Sequence, residues 1–289
     1  MKKVAVVTDS NSGIFPEEAE KLGCYVIPMP FIIDAEEYFE NVNLSQEKFY
    51  EIQAQGKRIT TSQPNINEIV SFWKKLLKEY DEIVHIPMSS GLSQSCATAT
   101  NFAEEFNGKV QVVDNKRISF SMKASVLDAI EMTKIGKTAK QIKEFLEETS
   151  LDSSIYLMVD TLKYLKQGGR ITPSAAAIGT VLNIKPVLQI QGGKLDSYAK
   201  VMNIRSAKMK MFEALKKDLE GRFAKLVEDG SLHLSVAHTC NDENAKIFAE
   251  ELKNLYPNLK FDFIDPLALS ISTHVGPKVL ACGCYRTWQ

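Results

Sequence analysis

This chain has little of what disulfide-stapled, metal-dependent or membrane proteins are built on. Its 289 residues include five cysteines, Cys24, Cys96, Cys240, Cys282 and Cys284, scattered and odd in number. That argues against a disulfide framework. Cys282-Gly283-Cys284 has no second close pair to complete a zinc site, so plain packing is the expected role of these thiols. An excess of one charge is lacking too: 35 Lys and Arg against 36 Asp and Glu leave a net charge of −1. Such a balance offers neither a basic field for nucleic acid nor a polybasic patch for lipid. The apolar stretch Val4–Val7, between Met1-Lys2-Lys3 and Asp9, is too short for a signal-peptide core or a membrane span. The expectation is a reduced, cytoplasmic setting, with no stable membrane insertion and at most transient membrane contact. Repeats, low-complexity segments and Pro-, Gly- or Ser-rich linkers are missing. So are the glycine patterns of dinucleotide and P-loop sites.

What is present is an ordinary globular composition, 44% hydrophobic and 25% charged, on a chain long enough for two domains with a sizeable core. The first half alternates strand and helix signals. Val4–Val7 reads as a buried strand. Pro16-Glu17-Glu18 suits a first helical turn that Gly23 closes, and Tyr25–Ile33 is a second apolar run. Ser45 is placed to cap a helix ending at Gly56, and Asn65 with Glu68 resembles a capping box before an amphipathic helix through Phe72, Trp73, Leu76 and Leu77. Glu82–Pro87 and Lys109–Asp114 read as strands around a helix over Cys96–Phe106. Thr138 with Gln141 caps a helix near Ala139–Glu148. This alternation predicts a parallel sheet with helices on both faces, whose ligands bind beyond the carboxyl ends of the strands.

The second half changes character. Ile155–Val159 reads as a strand, Asp160–Lys166 as a short helix stopped by Gly168-Gly169, and Val187–Ile190 with Leu195–Val201 as a hairpin about Gly192-Gly193. Helices over Ser206–Leu219 and Glu243–Leu255 alternate with strands at Leu232–His238, Phe261–Ile264 and Val279–Tyr285. The expected fold class is α/β in two domains, residues 1–150 with a parallel α/β/α sheet and residues 151–289 with a mostly antiparallel sheet, closing on a ligand cleft.

Two hydroxyl-rich loops carry the chemistry: Thr60-Thr61-Ser62-Gln63-Pro64 and Ser89-Ser90-Gly91-Leu92-Ser93-Gln94-Ser95. Each falls where a strand or turn hands over to a helix, and hydroxyls with amide N–H groups at helix N-termini suit a small anion such as carboxylate or phosphate. Turn and capping chemistry explains either loop taken alone. Gly168-Gly169-Arg170-Ile171 places a guanidinium after two glycines, either to grip an anion or as a solvated side chain past a helix end. Thr273-His274-Val275-Gly276-Pro277 puts a histidine in a Gly-Pro turn, as an anion donor or a loop residue satisfied by backbone. His85 and His233 read as structural, and His238-Thr239 as either. A Ser/His hydrolase would need Ser93 or Ser90 near His274 with an acid behind it. No nucleophile elbow is present, and Asp9, at a strand end, serves equally as a helix cap. Small-ligand phosphotransfer in the same pocket is the other catalytic alternative.

In order along the chain, Val7-Thr8-Asp9-Ser10, Thr61-Ser62-Gln63-Pro64, Ser89-Ser90-Gly91-Leu92-Ser93, Val112-Val113-Asp114, Leu162-Lys163-Tyr164-Leu165, Gly168-Gly169-Arg170-Ile171 and Ile184-Lys185-Pro186-Val187-Leu188 resemble the DegV family, the fatty-acid-binding FakB type. The resemblance implies two α/β domains with one long-chain fatty acid buried between them and no other cofactor or metal. It implies that Thr61 and Ser93 hold the carboxylate, with Ser62 and His274 as neighbours and Arg170 at the mouth. It further implies a carrier without catalysis of its own, presenting the acid to a separate fatty acid kinase that makes acyl phosphate for phospholipid synthesis. Ala175-Ala176-Ala177-Ile178-Gly179 and Leu267–Ile271 then line the tunnel or serve as ordinary core. The chain departs from the family at His274-Val275-Gly276-Pro277-Lys278, where H-T-G-P-G is usual, at Asn203-Ile204-Arg205, where V-R-T is usual, and at Gln94-Ser95, where Gly-Thr is common.

Overall fold

Every residue of the first strand, β1 (Val4–Asp9), is buried. Continuous burial is what a central parallel strand covered on both faces requires. The structure, a computed structural model, describes residues 2–177 and 184–289. It divides into two compact units, Met1–Leu151 and Asp152–Gln289.

In unit 1, β1 is followed by a 3-10 turn (Ser10–Ser12), α1 (Pro16–Leu22), β2 (Tyr25–Ile27), β3 (Pro30–Ile33), β4 (Glu36–Phe39), α2 (Gln46–Ala54), β5 (Ile59–Thr61), α3 (Ile66–Leu76), β6 (Glu82–Ile86), α4 (Ser95–Ala103), β7 (Val110–Val112), α5 (Ser119–Lys134) and α6 (Ala139–Glu148). Strands β2, β1, β6 and β7 pair in that order, all parallel. Against one face, Ile69, Trp73 and Leu76 of α3 and Cys96, Ala99 and Ala103 of α4 pack on Ala5, Val7 and Ile83. Pro16 opens α1 and Gly23 closes it in the left-handed conformation. Thr138 and Gln141 form a reciprocal capping box on α6.

Three features of unit 1 differ from the sequence reading. The run Tyr25–Ile33 splits: Tyr25–Ile27 joins the parallel sheet, while β3 pairs antiparallel with β4 and β5 in a separate small sheet. Pro30 opens the second segment, and its missing N–H cannot extend the first ladder. Helix α5 was not expected. Phe120, Met122, Val126, Ala129 and Met132 are buried, and so are Ser121, Lys123, Ser125 and Asp128. A helix enclosed on all sides has no polar face to create a 3.6-residue period. Finally, Asn65 caps α3 by accepting from Asn67 N at 3.0 Å, and Glu68 lies in the positive first turn.

Unit 2 runs β8 (Ser153–Met158), α7 (Lys163–Gly168), α8 (Pro173–Ala176), β9 (Lys185–Ile190), β10 (Asp196–Val201), α9 (Ile204–Glu220), α10 (Ala224–Glu228), β11 (Leu232–His238), α11 (Asp242–Leu255), β12 (Lys260–Pro266), α12 (Leu269–Val275) and β13 (Leu280–Arg286). The strand order is β10-β9-β8-β13-β11-β12. The pairs are antiparallel except β11 with β12. Met211 and Leu215 of α9 and Phe248 and Leu252 of α11 cover this sheet, packing on Met158, Leu234, Val236 and Cys282. Cys24, Cys96, Cys282 and Cys284 are buried free thiols and Cys240 is exposed. Ile178 and Gly179 of the suggested tunnel lining lie outside the described residues. Leu267, Ala268 and Leu269 are buried.

Candidate functional site

Both hydroxyl loops lie in unit 1. Thr61 ends β5, held in register by Phe31 on β3, and Ser62 N donates to the Pro30 carbonyl at 3.2 Å. Pro64 cannot continue the ladder, and Asn65 starts α3 directly after it. Thr61 is half-buried and Ser62 exposed.

The serine loop winds on one carbonyl. Ser89 O accepts from Leu92 N and Ser93 N at 3.0 and 3.2 Å, and Ser89 Oγ accepts from Gly91 N at 3.1 Å. Ser93 Oγ accepts from Ser95 N at 3.2 Å, so it sits on the first turn of α4. A serine hydroxyl that accepts one bond can still donate another. Ser90 is engaged elsewhere: its N and Oγ donate to Asp114 Oδ1 and Oδ2 at 3.2 and 2.6 Å. Thr98 Oγ1, on the first turn of α4, donates to Gln63 Oε1 at 3.1 Å, which ties the Thr61 loop to the helix that follows the serine loop. Together they present hydroxyls at the N-terminal ends of α3 and α4, where the helix dipoles favour negative charge.

Asp9 closes β1 beside these loops. Its Oδ1 accepts from Asn11 N at 2.9 Å and its Oδ2 from Met88 N at 2.8 Å. Burial pushes its carboxyl up to about 6, against the pull of those amide donors. Of the two roles open to it, the structure places Asp9 as a cap.

Unit 2 brings His274 and Arg170 together. His274 belongs to the last turn of α12, not to the Gly-Pro turn expected from the sequence. Gly276 precedes Pro277 and so disfavours helix, which leaves the histidine one step inside. A Cβ built on Gly168 would stand 2.0 Å from His274 Nδ1, and Arg170 Nη1 donates to the Gly168 carbonyl. Burial, then the Arg170 charge, holds the imidazole down at about 4. It is therefore neutral at neutral pH, and its charged neighbour is a guanidinium rather than the carboxylate of a triad.

Sequence reasoning missed Thr239, read only as an open case with His238. Its Oγ1 donates to Gly276 O at 2.7 Å and accepts from Val279 N at 2.9 Å, clamping the turn behind His274. No local pattern marks it, because its partners lie about 40 residues away in the chain. Of the other histidines, His85 packs edge-on to Trp73 and burial lowers it to about 3. His233 Nδ1 pairs with Asp262 Oδ2 at 2.7 Å. His238 Nδ1 accepts from Asn241 N at 3.3 Å. Among the described residues, no group of three or more His, Cys, Asp or Glu is placed to hold a metal ion.

The family model described as an uncharacterised protein of the DegV family matches residues 3–287. The chain is 31% identical to Protein DegV of Bacillus subtilis (strain 168) over 290 residues, 98% of this chain and 99% of that one. The solved structure of DegV from Bacillus subtilis, described as a fatty acid binding protein, is similar with a TM-score of 0.85 and 30% identity, covering 99% of this chain and 100% of that one. A fatty acid binding DegV family protein from Streptococcus agalactiae gives a TM-score of 0.87 at 26% identity, covering all of both chains.

Proposed function

Because the chain belongs to the DegV family, we infer that it binds a long-chain fatty acid, with the carboxylate held by Thr61 and Ser93. In this proposal Ser62 and the neutral His274 are further polar neighbours and Arg170 stands at the mouth. The chain acts as a carrier, without catalysis of its own, that presents the acid to a separate fatty acid kinase for conversion to acyl phosphate in phospholipid synthesis.

The observation that carries this reading is the hydrogen bond from Thr98, on the first turn of the helix that follows the serine loop, to Gln63 of the other hydroxyl loop, in a chain whose relatives are described as fatty acid binding. The physical division of labour fits. Burying about 16 methylenes at ~0.8 kcal/mol each releases roughly 13 kcal/mol before the cost of ordering the tail. The head group then needs only enough hydrogen bonds to satisfy a desolvated carboxylate. Hydroxyls and amides satisfy it without the tight ion pair that would resist transfer to a kinase. A histidine held at about 4 is a weak general base at neutral pH, which disfavours the Ser/His hydrolase alternative.

Thr61→Ala combined with Ser93→Ala tests the assignment. Losing two hydrogen bonds to a charged group, at about 1.5–3 kcal/mol each, weakens palmitate binding by roughly a hundredfold or more in a folded protein. Unchanged affinity in a variant with the parent's melting temperature and circular dichroism removes the pocket assignment. Release of a long-chain acid from the purified protein on denaturation, read by native mass spectrometry, identifies the ligand class directly.

A further inference from the structure

We infer that Asp9 and Ser10 together are positioning residues for both loops assigned to the carboxylate, an inference that rests on the Thr61 and Ser93 assignment. The two side chains are neighbours at the carboxyl end of β1, at 2% and 4% exposure, and each accepts from a backbone N–H beside a different segment that positions a hydroxyl loop. Ser10 Oγ accepts from Met29 N at 3.0 Å. The next residue, Pro30, accepts from Ser62 N, and Phe31 pairs with Thr61. Asp9 Oδ2 accepts from Met88 N. The next residue, Ser89, carries the carbonyl on which Leu92 and Ser93 are hung. One dipeptide thus sets the placement of Thr61, through the residue that precedes its partner strand β3, and of Ser93, through the residue that precedes the serine loop.

The residue types fit the task. Position 9 must accept from two N–H groups at once, Asn11 and Met88. A carboxylate has two oxygens for this, whereas an asparagine amide has one. The turn is itself braced: Ser12 Oγ donates to Asp9 O at 2.8 Å, and Thr8 Oγ1 donates to Ile86 O at 3.0 Å, locking β1 to β6. Buried from water, such bonds hold geometry more stiffly than exposed ones. Neither side chain needs to touch the ligand. Their effect is on the spacing of the hydroxyls that do, and misplacement of such groups by about 1 Å is costly.

The test uses the full-length protein and palmitate labelled with ¹³C at the carboxyl carbon, which reads both affinity and the environment of the bound head group. Ser10→Ala and Asp9→Asn each weaken binding about tenfold and move the bound carboxyl resonance. Ser10→Thr, which keeps the oxygen, restores both. In double-variant cycles, Ser10→Ala adds nothing further to Thr61→Ala but adds fully to Ser93→Ala, and Asp9→Asn does the reverse. A merely structural role gives uniform additivity and an unmoved resonance, and that result overturns the inference. So does unchanged affinity in folded single variants. Should Asp9→Asn fail to fold, the Ser10 couplings decide, since that variant removes one oxygen only. If Thr61→Ala and Ser93→Ala themselves leave affinity and resonance untouched, the carboxylate assignment has failed, and this is read separately from the positioning variants.

Discussion

Gly168 and His274 are packed so closely that any side chain at position 168 would have to displace the imidazole: an added Cβ would lie 2.0 Å from Nδ1 and 2.9 Å from Cε1 of the ring. A second interlock lies beside the first. Gly276, at φ +78°, faces the Tyr164 ring, where a Cβ would lie 2.4 Å from the nearest carbon. Helix α7 and the end of α12 therefore key into each other through Gly168 and the capping Gly276, and the His274 ring lies against the α7 backbone.

Gly168→Ala is expected to push the imidazole aside. Overpacking of this kind costs typically about 1–3 kcal/mol, and palmitate binding falls about tenfold as the ring leaves its place. Thermal melting with a palmitate titration measures both. A variant with the parent's melting temperature and affinity would show that the ring moves freely and that the contact does not matter.

Acid weakens the fold through its buried imidazoles. His274 is held at about 4 and His85 at about 3, each against an ordinary value of 6.5. Both take up protons more readily unfolded, so the stability they contribute is present above pH 6.5. It is lost as pH falls through 4 and then 3. His274 accounts for on the order of 3 kcal/mol of this. Asp9 acts oppositely: raised from 3.8 to about 6, its contribution is present below pH 3.8 and lost as pH rises through 6. The melting temperature is expected to drop between pH 6.5 and 4, more shallowly in His274→Gln and more steeply in Asp9→Asn. Equal slopes in parent and His274→Gln would contradict the assignment.

Lys278 holds a left-handed backbone, φ +62°, a region that favours glycine. Its N donates to Thr239 O at 2.8 Å, which keeps it there. A non-glycine residue in that region costs about 1–2 kcal/mol, and glycine gives back part of that gain as backbone entropy. Lys278→Gly is therefore expected to stabilise the protein by about 0.5 kcal/mol, a rise of one or two degrees in melting temperature. A lower melting temperature would mean that the lysine side chain contributes more than the strain it bears.

Local signals served well where neighbours in sequence are also neighbours in space. Pro16 and Gly23 bracket α1, Thr138 with Gln141 caps α6, and the hairpin of β9 and β10 follows from its glycine turn. Those features come from backbone sterics and capping within a few residues, which a linear text records. The ordered motifs likewise sufficed for the family, and the alternation of strand and helix for the α/β class.

The all-round burial of α5 was invisible to periodicity, and Pro30 moved half of an apolar run into another sheet. Which hydroxyl does what was equally hidden. Ser90 and Ser93 look alike in the chain, yet Asp114 takes the first while the second crowns α4. Family membership and the α/β class were thus legible in the chain alone, whereas the elements without a local signature and the partners of the polar groups were not. Packing settled those partners, because a close contact between residues 106 positions apart, as at Gly168 and His274, depends on where the fold brings two distant segments and leaves no mark on either one alone.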